Sequence, residues 1–423
     1  MDDSKFQNLV AGGSNFELRR AVERLREGLF DPLGVQLLTS GGAKLDRVFD
    51  KAVTALDKNH SSHLCICGAY GQGKSHSLTY IKQKALADNF VVSHMNLDPR
   101  QVPFHNFQAV YRAVMAGMEF PHGEKSVVSV WKKGVEQWLS LLENSQKTCL
   151  DLIPQEMPHR FKAILVAMAS PTMALSARKK KFKKYARFKP REFPWILKNA
   201  LLGKDIPAGR LSAAFQYRQV PFYKDHSLVC KEPAQYLAMV KALATLFQNL
   251  GFKGWVILFD EGESITQTRI TSRSKSYELL HKIFCPDGRS GGFYPVFAFT
   301  HDFFSLVSQE AYDRTRILKG RKNGSSPPLE IPFFKRDYHA AWKDITVHTL
   351  HDLSVPEWKI LIHKLIVLHG RAYAWGPESD LLQPQMVKLL SSHAGAEPRL
   401  KLRLLVNHLD LEQQKEVLDT LIL

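Results

Sequence analysis

Eight consecutive residues, Gly68-Ala-Tyr-Gly-Gln-Gly-Lys-Ser75, satisfy the pattern GxxxxGK[ST], and few short motifs restrict a fold so tightly. Glycines let such a loop curl until successive backbone N–H groups point inward at phosphates. Lys74 is then placed to reach the β- and γ-phosphates of ATP, and the Ser75 hydroxyl to ligate Mg2+. A helix must follow, and its N-terminal dipole adds to the attraction. The flanks agree: His63-Leu-Cys-Ile-Cys67 suits a buried strand, and Leu78, Ile81 and Ala85 recur at helical spacing beyond the loop. Gly68, Gly71, Gln72, Gly73, Lys74, Ser75 and His76 are therefore the expected nucleotide contacts.

A second apolar run, Trp255–Phe259, closes on Asp260-Glu261. A strand delivers its last side chains to the carboxyl edge of a parallel sheet, where a phosphate loop also lies. There Asp260 can bind Mg2+ through water, and Glu261 can polarise the attacking water. An acidic strand end alone would be ordinary; its pairing with the glycine loop gives it meaning. Glu263 is a lesser candidate for the same pocket. The next apolar strand, Tyr294–Phe299, ends at Thr300, which could sense the γ-phosphate or position the water. A plain loop start accounts for Thr300 equally well.

The 423 residues are enough for two or three domains. Residues 1–60 read as an N-terminal helical segment, and 61–99 with 255–334 as the α/β core. Between them, 100–254 read as a mostly helical insertion. The last part, 335–423, is helical: Ser354 and Glu357 form a capping box, and Leu402, Leu405, Val406 and Leu409 stand at core spacing. Met1–Lys5 has no signal-peptide character, and no apolar run suits a bilayer crossing. A cytoplasmic protein without a membrane partner is expected. The five cysteines, odd in number and scattered, fit a reducing compartment. Cys65 and Cys67 have no second pair to complete a zinc site.

GAYGQGKSH at 68–76, GFKGWVILFDEGE at 251–263 and EPRLKLRLLVNHLD at 397–410 together resemble the BREX-system ATP-binding (BrxD-like) proteins of bacterial phage-defence islands. AVERLREG at 21–28 and LLGK at 201–204 fit the same layout, although the tryptophan usual before the mid-chain glycine is absent at Leu201-Leu202-Gly203. The resemblance implies a P-loop NTPase core of the AAA+/STAND-like, catalytic-glutamate class. It implies that glutamate on the strand beside the P-loop strand, and a helical C-terminal lid. By that analogy Arg399 is the candidate lid arginine with a catalytic role, and Arg403 the second choice; a solvated helix arginine is the plainer reading.

Lys plus Arg exceed Asp plus Glu by 17, 58 against 41, which favours a polyanionic partner. Nine of those positive charges fall within Arg178–Arg191, which contains no acid. Lys179, Lys180, Lys181, Lys183, Lys184 and Arg187 suit phosphates, and Phe182, Tyr185 and Phe188 suit base stacking, so DNA is the expected ligand. A solvated loop is the bland alternative. Arg314, Arg316, Lys319, Arg321 and Lys322 form a second basic group, from which an arginine finger to a neighbouring copy could come in a homo-oligomer. The expectation is a Mg2+-dependent ATPase of an anti-phage system, acting with DNA and with other defence proteins. A replication initiator or helicase-loader type AAA+ protein and a low-turnover nucleotide switch are the rival readings.

Overall fold

The computed structural model describes residues 3–40, 42–58, 60–124, 126–140, 148–170, 190–220, 222–288, 291–313, 315–318 and 329–422. Helices α1 (Asp3–Gly12), α2 (Asn15–Arg26), α3 (Pro32–Leu38) and α4 (Gly42–Asp57) come first. Strand β1 (Leu64–Cys67), helix α5 (Lys74–Ala87) and strand β2 (Val91–Asn96) make the first α/β unit. Helices α6 (Phe107–Ala116), α7 (Val127–Ser140), α8 (His159–Ala169), α9 (Phe193–Leu201), α10 (Ala208–Tyr217) and α11 (Pro233–Asn249) follow, with the short strand β3 (Met118–Glu119) after α6. The α/β pattern resumes with β4 (Trp255–Asp260), α12 (Ile270–Phe284), β5 (Phe293–Phe299) and α13 (Asp302–Asp313). An antiparallel pair, β6 (Thr315–Leu318) and β7 (Leu329–Pro332), precedes α14 (Tyr338–Ala341) and β8 (Val347–Thr349). The chain ends in α15 (Val355–Tyr373), α16 (Ser379–Ser392) and α17 (Pro398–Ile422).

Six strands form one sheet in the order β3-β2-β4-β5-β1-β8, parallel throughout except for β3. Every residue of β4 and β5 is buried, which is why both read as unbroken apolar runs rather than alternating ones. Successive side chains still divide between two cores. Trp255, Ile257 and Phe259 face the helices between β2 and β4, while Val256 and Leu258 face α4 and α5. Phe259 stacks on Phe297 across the β4–β5 pair at 4.4 Å, and the Trp255 indole donates to Ser93 Oγ at 3.0 Å. The helices of 100–254 are thus not an appendage: they share the larger core and form one layer of an α/β/α sandwich.

Two expectations need correction. The strand carrying Asp260 does not lie beside β1. Strand β5 stands between them, pairing Trp255–Phe259 on one side and Leu64–Cys67 on the other. Two strand spacings, about 9–10 Å, therefore separate the two halves of the motif. Residues 335–354 also do not belong with the terminal helices. Val347–Thr349 is the edge strand beyond β1, pairing in parallel over Cys65–Cys67, and Tyr338 and Trp342 are buried in the larger core.

Residues 1–60 divide as well. Helix α4 covers the sheet through Leu45, Phe49 and Leu56, whereas α1, α2 and α3 share a separate core with α15, α16 and α17. Leu18, Val22 and Leu37 meet Ile362, Leu365, Leu405 and Val406 there, all buried. Polar contacts clamp the same junction. Arg26 holds Asp410 through two hydrogen bonds of 2.7 and 2.9 Å, and Arg19 Nε donates to the Ala372 carbonyl at 2.8 Å. Trp375 Nε1 donates to Nδ1 of the buried His369, so the opposite nitrogen, Nε2, donates to Asp410 Oδ1 at 3.0 Å.

Burial alone would raise the Asp410 carboxyl, but hydrogen bonds from Arg26 and His369 outweigh it and hold it below its usual value. A carboxylate depressed in the fold adds stability above its unfolded value of about 3.9, and that stability disappears as pH falls through the folded value. Asp410→Ala should therefore cost about 1–3 kcal/mol in denaturant melts at pH 7, largely from the partner left at buried His369. The cost should hold steady down to about pH 5 and shrink below about pH 4.

Candidate functional site

The turn after β1 closes because two glycines take backbone conformations that other residues resist: Gly71 at φ 77° and Gly73 at φ 95°. Gly73 caps α5 from the left-handed region, so the helix opens with Lys74, Ser75 and His76 on its first turn. The Lys74 side chain folds back over the loop, donating to the carbonyls of Gly68 at 3.1 Å and Ala69 at 3.3 Å. Gln72 ties the loop to itself, its Oε1 accepting from the Ala69 N–H at 2.6 Å, and lies 3.3 Å from His301.

At the same sheet edge, β4 delivers Asp260, which is buried, and Asp260 Oδ1 accepts from the Glu261 N–H at 2.9 Å. Glu261 itself sits at φ 58°, ψ 38°, a conformation uncommon for a residue with a side chain, and its carboxylate is exposed. Lys74, Ser75, His76, Asp260 and Glu261 open onto one cleft of about 310 Å³. Its far wall comes from the helical body of the chain ends, through Gly28, Phe30, Arg399 and Leu402.

Each residue expected here has a definite place. Gly68, Gly71, Gln72, Gly73, Lys74 and Ser75 form the loop and the first turn of α5. His76 turns partly away: its Nε2 donates to Thr39 Oγ1 at 2.8 Å, since that hydroxyl gives its own hydrogen to the Val35 carbonyl. The ring meets Phe30 edge-on, and burial pushes the imidazole down to about 4. Arg399 reaches the loop from α17, its guanidinium 5.4 Å from the centre of the Tyr70 ring. Arg403 instead donates to the Arg26 carbonyl at 3.2 Å. Thr300 follows the end of β5, half-buried, its carbonyl accepting from the Phe303 N–H in the first turn of α13. It is not part of the cleft wall. The nucleic-acid candidates Lys179, Lys180, Lys181, Lys183, Lys184 and Arg187 lie outside the described residues, as do the side chains of the second basic group.

Two residues and one pairing went unread in the sequence. Tyr70, fixed only as a variable position of the motif, is two-thirds exposed and carries the Arg399 contact. Glu397, one residue before the proline that opens α17, packs against Gly71. Glu263, rather than Asp260 or Glu261, is the carboxylate paired with Lys74, at 3.8 Å. A DExE spacing ahead of a short helical turn was its available signal.

A glycine loop running from a buried parallel strand into a helix, faced by strand-end carboxylates, defines the molecule as a nucleotide-binding α/β protein. The chain belongs to the family described as BREX system ATP-binding protein BrxC/D, whose model matches residues 15–169 and 232–420. ATP is thereby its nucleotide, and its setting is a phage-defence system with other proteins of that system. The match takes in both halves of the motif, α2 to α4 near the start of the chain and the helices near its end. It leaves out 170–231, which hold the basic tract and Leu201–Lys204. No curated protein and no solved structure matches the chain. Among the described residues, no helix is long and apolar enough to cross a membrane.

Gly71→Ala tests the loop geometry. The added methyl would meet the Glu397 carboxylate and force a side chain into a positive-φ conformation, a strain of about 1–3 kcal/mol. Nucleotide affinity, followed by titration calorimetry, should fall at least tenfold while the melting curve keeps its cooperativity.

Proposed function

We propose that this protein binds and hydrolyses ATP with Mg2+, as the ATP-driven or ATP-gated component of a BREX-like anti-phage system acting with DNA and partner proteins in the cytoplasm. The observation that supports it is convergence: Lys74 and Ser75 from α5, Asp260 from the end of β4, Glu261 just beyond it, and Arg399 from α17 all border one cleft. Loop N–H groups and Lys74 bind the β- and γ-phosphates. Ser75 and Asp260 are hard oxygen donors of the kind Mg2+ takes alongside phosphates, and they fit that ion. Bound there, the ion would neutralise charge on the phosphates. Glu261 orients and deprotonates the attacking water, helped by its exposed position at the strand end. Arg399 acts from a C-terminal lid of AAA+/STAND-like kind, and Thr300, outside the cleft wall, keeps no role in this reading.

Lys74→Ala should abolish or severely weaken ATP binding, because the loop loses its phosphate-directed charge. Glu261→Gln should keep binding and lower turnover by about 100-fold or more, as expected when a general base is removed. Calorimetry with a non-hydrolysable analogue and a phosphate-release assay separate the two effects. Unchanged turnover in Glu261→Gln removes it from the catalytic role.

DNA contact is assigned to Arg178–Arg191, on its nine positive charges without an acid. With about four to six phosphate contacts, log K should fall with log salt at a slope of roughly −3 to −5. Replacing Lys179, Lys180, Lys181, Lys183 and Lys184 with glutamine should flatten that slope by several units while ATP binding survives. Fluorescence anisotropy across a salt series reads both; an unaltered slope places the DNA-binding surface elsewhere.

A further inference from the structure

An ammonium withdrawn from water needs a counter-charge, and Lys74 is only 9% exposed. Its two hydrogen bonds go to backbone carbonyls, which supply partial charge alone. The full counter-charge is Glu263 Oε1, 3.8 Å away. That carboxylate is an uneasy resident. Its other oxygen, Oε2, is buried without a hydrogen-bond partner. Burial raises its proton affinity, with Glu261 and Asp260 adding repulsion against the pull of Lys74. A half-satisfied buried carboxylate marks a place where another charge pattern is meant to prevail.

From this geometry we infer that Glu263 is a positioning residue: a stand-in for phosphate that holds the Lys74 ammonium in place while the site is empty and yields it when ATP arrives. The inference rests on the reading of this cleft as an ATP site. In the empty protein the carboxylate keeps Lys74 folded over the loop. Triphosphate brings its own negative charge to Lys74, and Glu263 then becomes a like charge beside it. The carboxylate must be displaced or screened, so part of the ATP binding energy is spent against it. Glu263 sits on the short turn Gly262–Gln267 that follows β4. Arg273 grips that turn through the carbonyls of Thr266 at 2.6 Å and Thr268 at 2.8 Å, and pairs with Glu310 of α13 at 2.5 Å. Movement of Glu263 is therefore resisted by a fixed frame, which keeps the stand-in registered on Lys74.

The test is Glu263→Gln, which keeps shape and removes charge, titrated calorimetrically with a non-hydrolysable ATP analogue, ADP and AMP. The expected result is a graded gain: about three- to tenfold tighter binding of the ATP analogue, less for ADP and none for AMP, following the phosphates that Lys74 reaches. Equal shifts for all three nucleotides, or weaker binding of the ATP analogue, would overturn the inference and leave Glu263 a structural residue. Unchanged affinity with lost turnover would also overturn it, by making Glu263 the group that activates water. A thermal-melt cycle of Lys74→Met, Glu263→Gln and the double variant, without nucleotide, gives a second reading. The two changes should be non-additive, and additivity counts against the pair. If the parent protein binds none of the nucleotides, it is the ATP reading that fails.

Discussion

A parallel sheet buried on both faces sends charged side chains to its edges, and the glycine loop and the strand-end carboxylates of this site sit where that constraint sends them. β4 and β5 have no exposed residue, so the first positions able to bear charge come at their carboxyl ends. Asp260 takes the end of one, Thr300 follows the end of the other, and the glycine loop leaves the end of β1. The order β4-β5-β1 then sets the span. One intervening strand leaves room for a phosphate group between the carboxylates and the loop, while long side chains still meet across it. The pairing of Lys74 with Glu263 at 3.8 Å shows that reach.

The glycines act within that frame, not instead of it. Gly71 and Gly73 hold positive φ values because the chain must reverse from a strand end into a helix within six residues. Gly262 solves a different problem, since a methyl group there would run into Phe299 and the Ala298 carbonyl. Glycine after Asp260-Glu261 lets the turn pass under β5, and this close passage brings Glu263 back toward Lys74.

Much of this was legible because local signals and tertiary fate coincide. The glycine loop, the apolar strands and the Ser354–Glu357 capping box all depend on neighbours in sequence, and the structure contains each of them. The failures are all non-local. β8 has three residues, two of them exposed, so it carried no burial pattern to read. The position of β5 between β4 and β1 is a choice of strand order, which composition does not encode. Residues 1–60 read simply as helical; that the apolar faces of α1, α2 and α3 close on helices more than three hundred residues away is decided by partners, not by periodicity. Glu263 was visible as a third acid, but its burial beside Lys74 depends on the turn geometry.

The joining of the chain ends limits how the cleft can open. Arg399 faces the loop from α17, yet α17 is not an independent arm. Leu405, Val406 and Leu409 lie fully buried in a core that also includes Leu18, Val22 and Leu37. Swinging α17 alone would expose those side chains, at about 1.5–3 kcal/mol for each large one uncovered. It would also break the hold of Arg26 and His369 on Asp410. Rotation of the whole body, α1–α3 together with α15–α17, costs none of this. Its contacts with the loop and α5 include the Tyr70 ring under Arg399, Glu397 against Gly71, His76 bonded to Thr39 and edge-on to Phe30, and Gln83 Nε2 donating to the Pro32 carbonyl at 2.7 Å. Any opening of the cleft that keeps this core intact therefore carries α1–α3 and α15–α17 together.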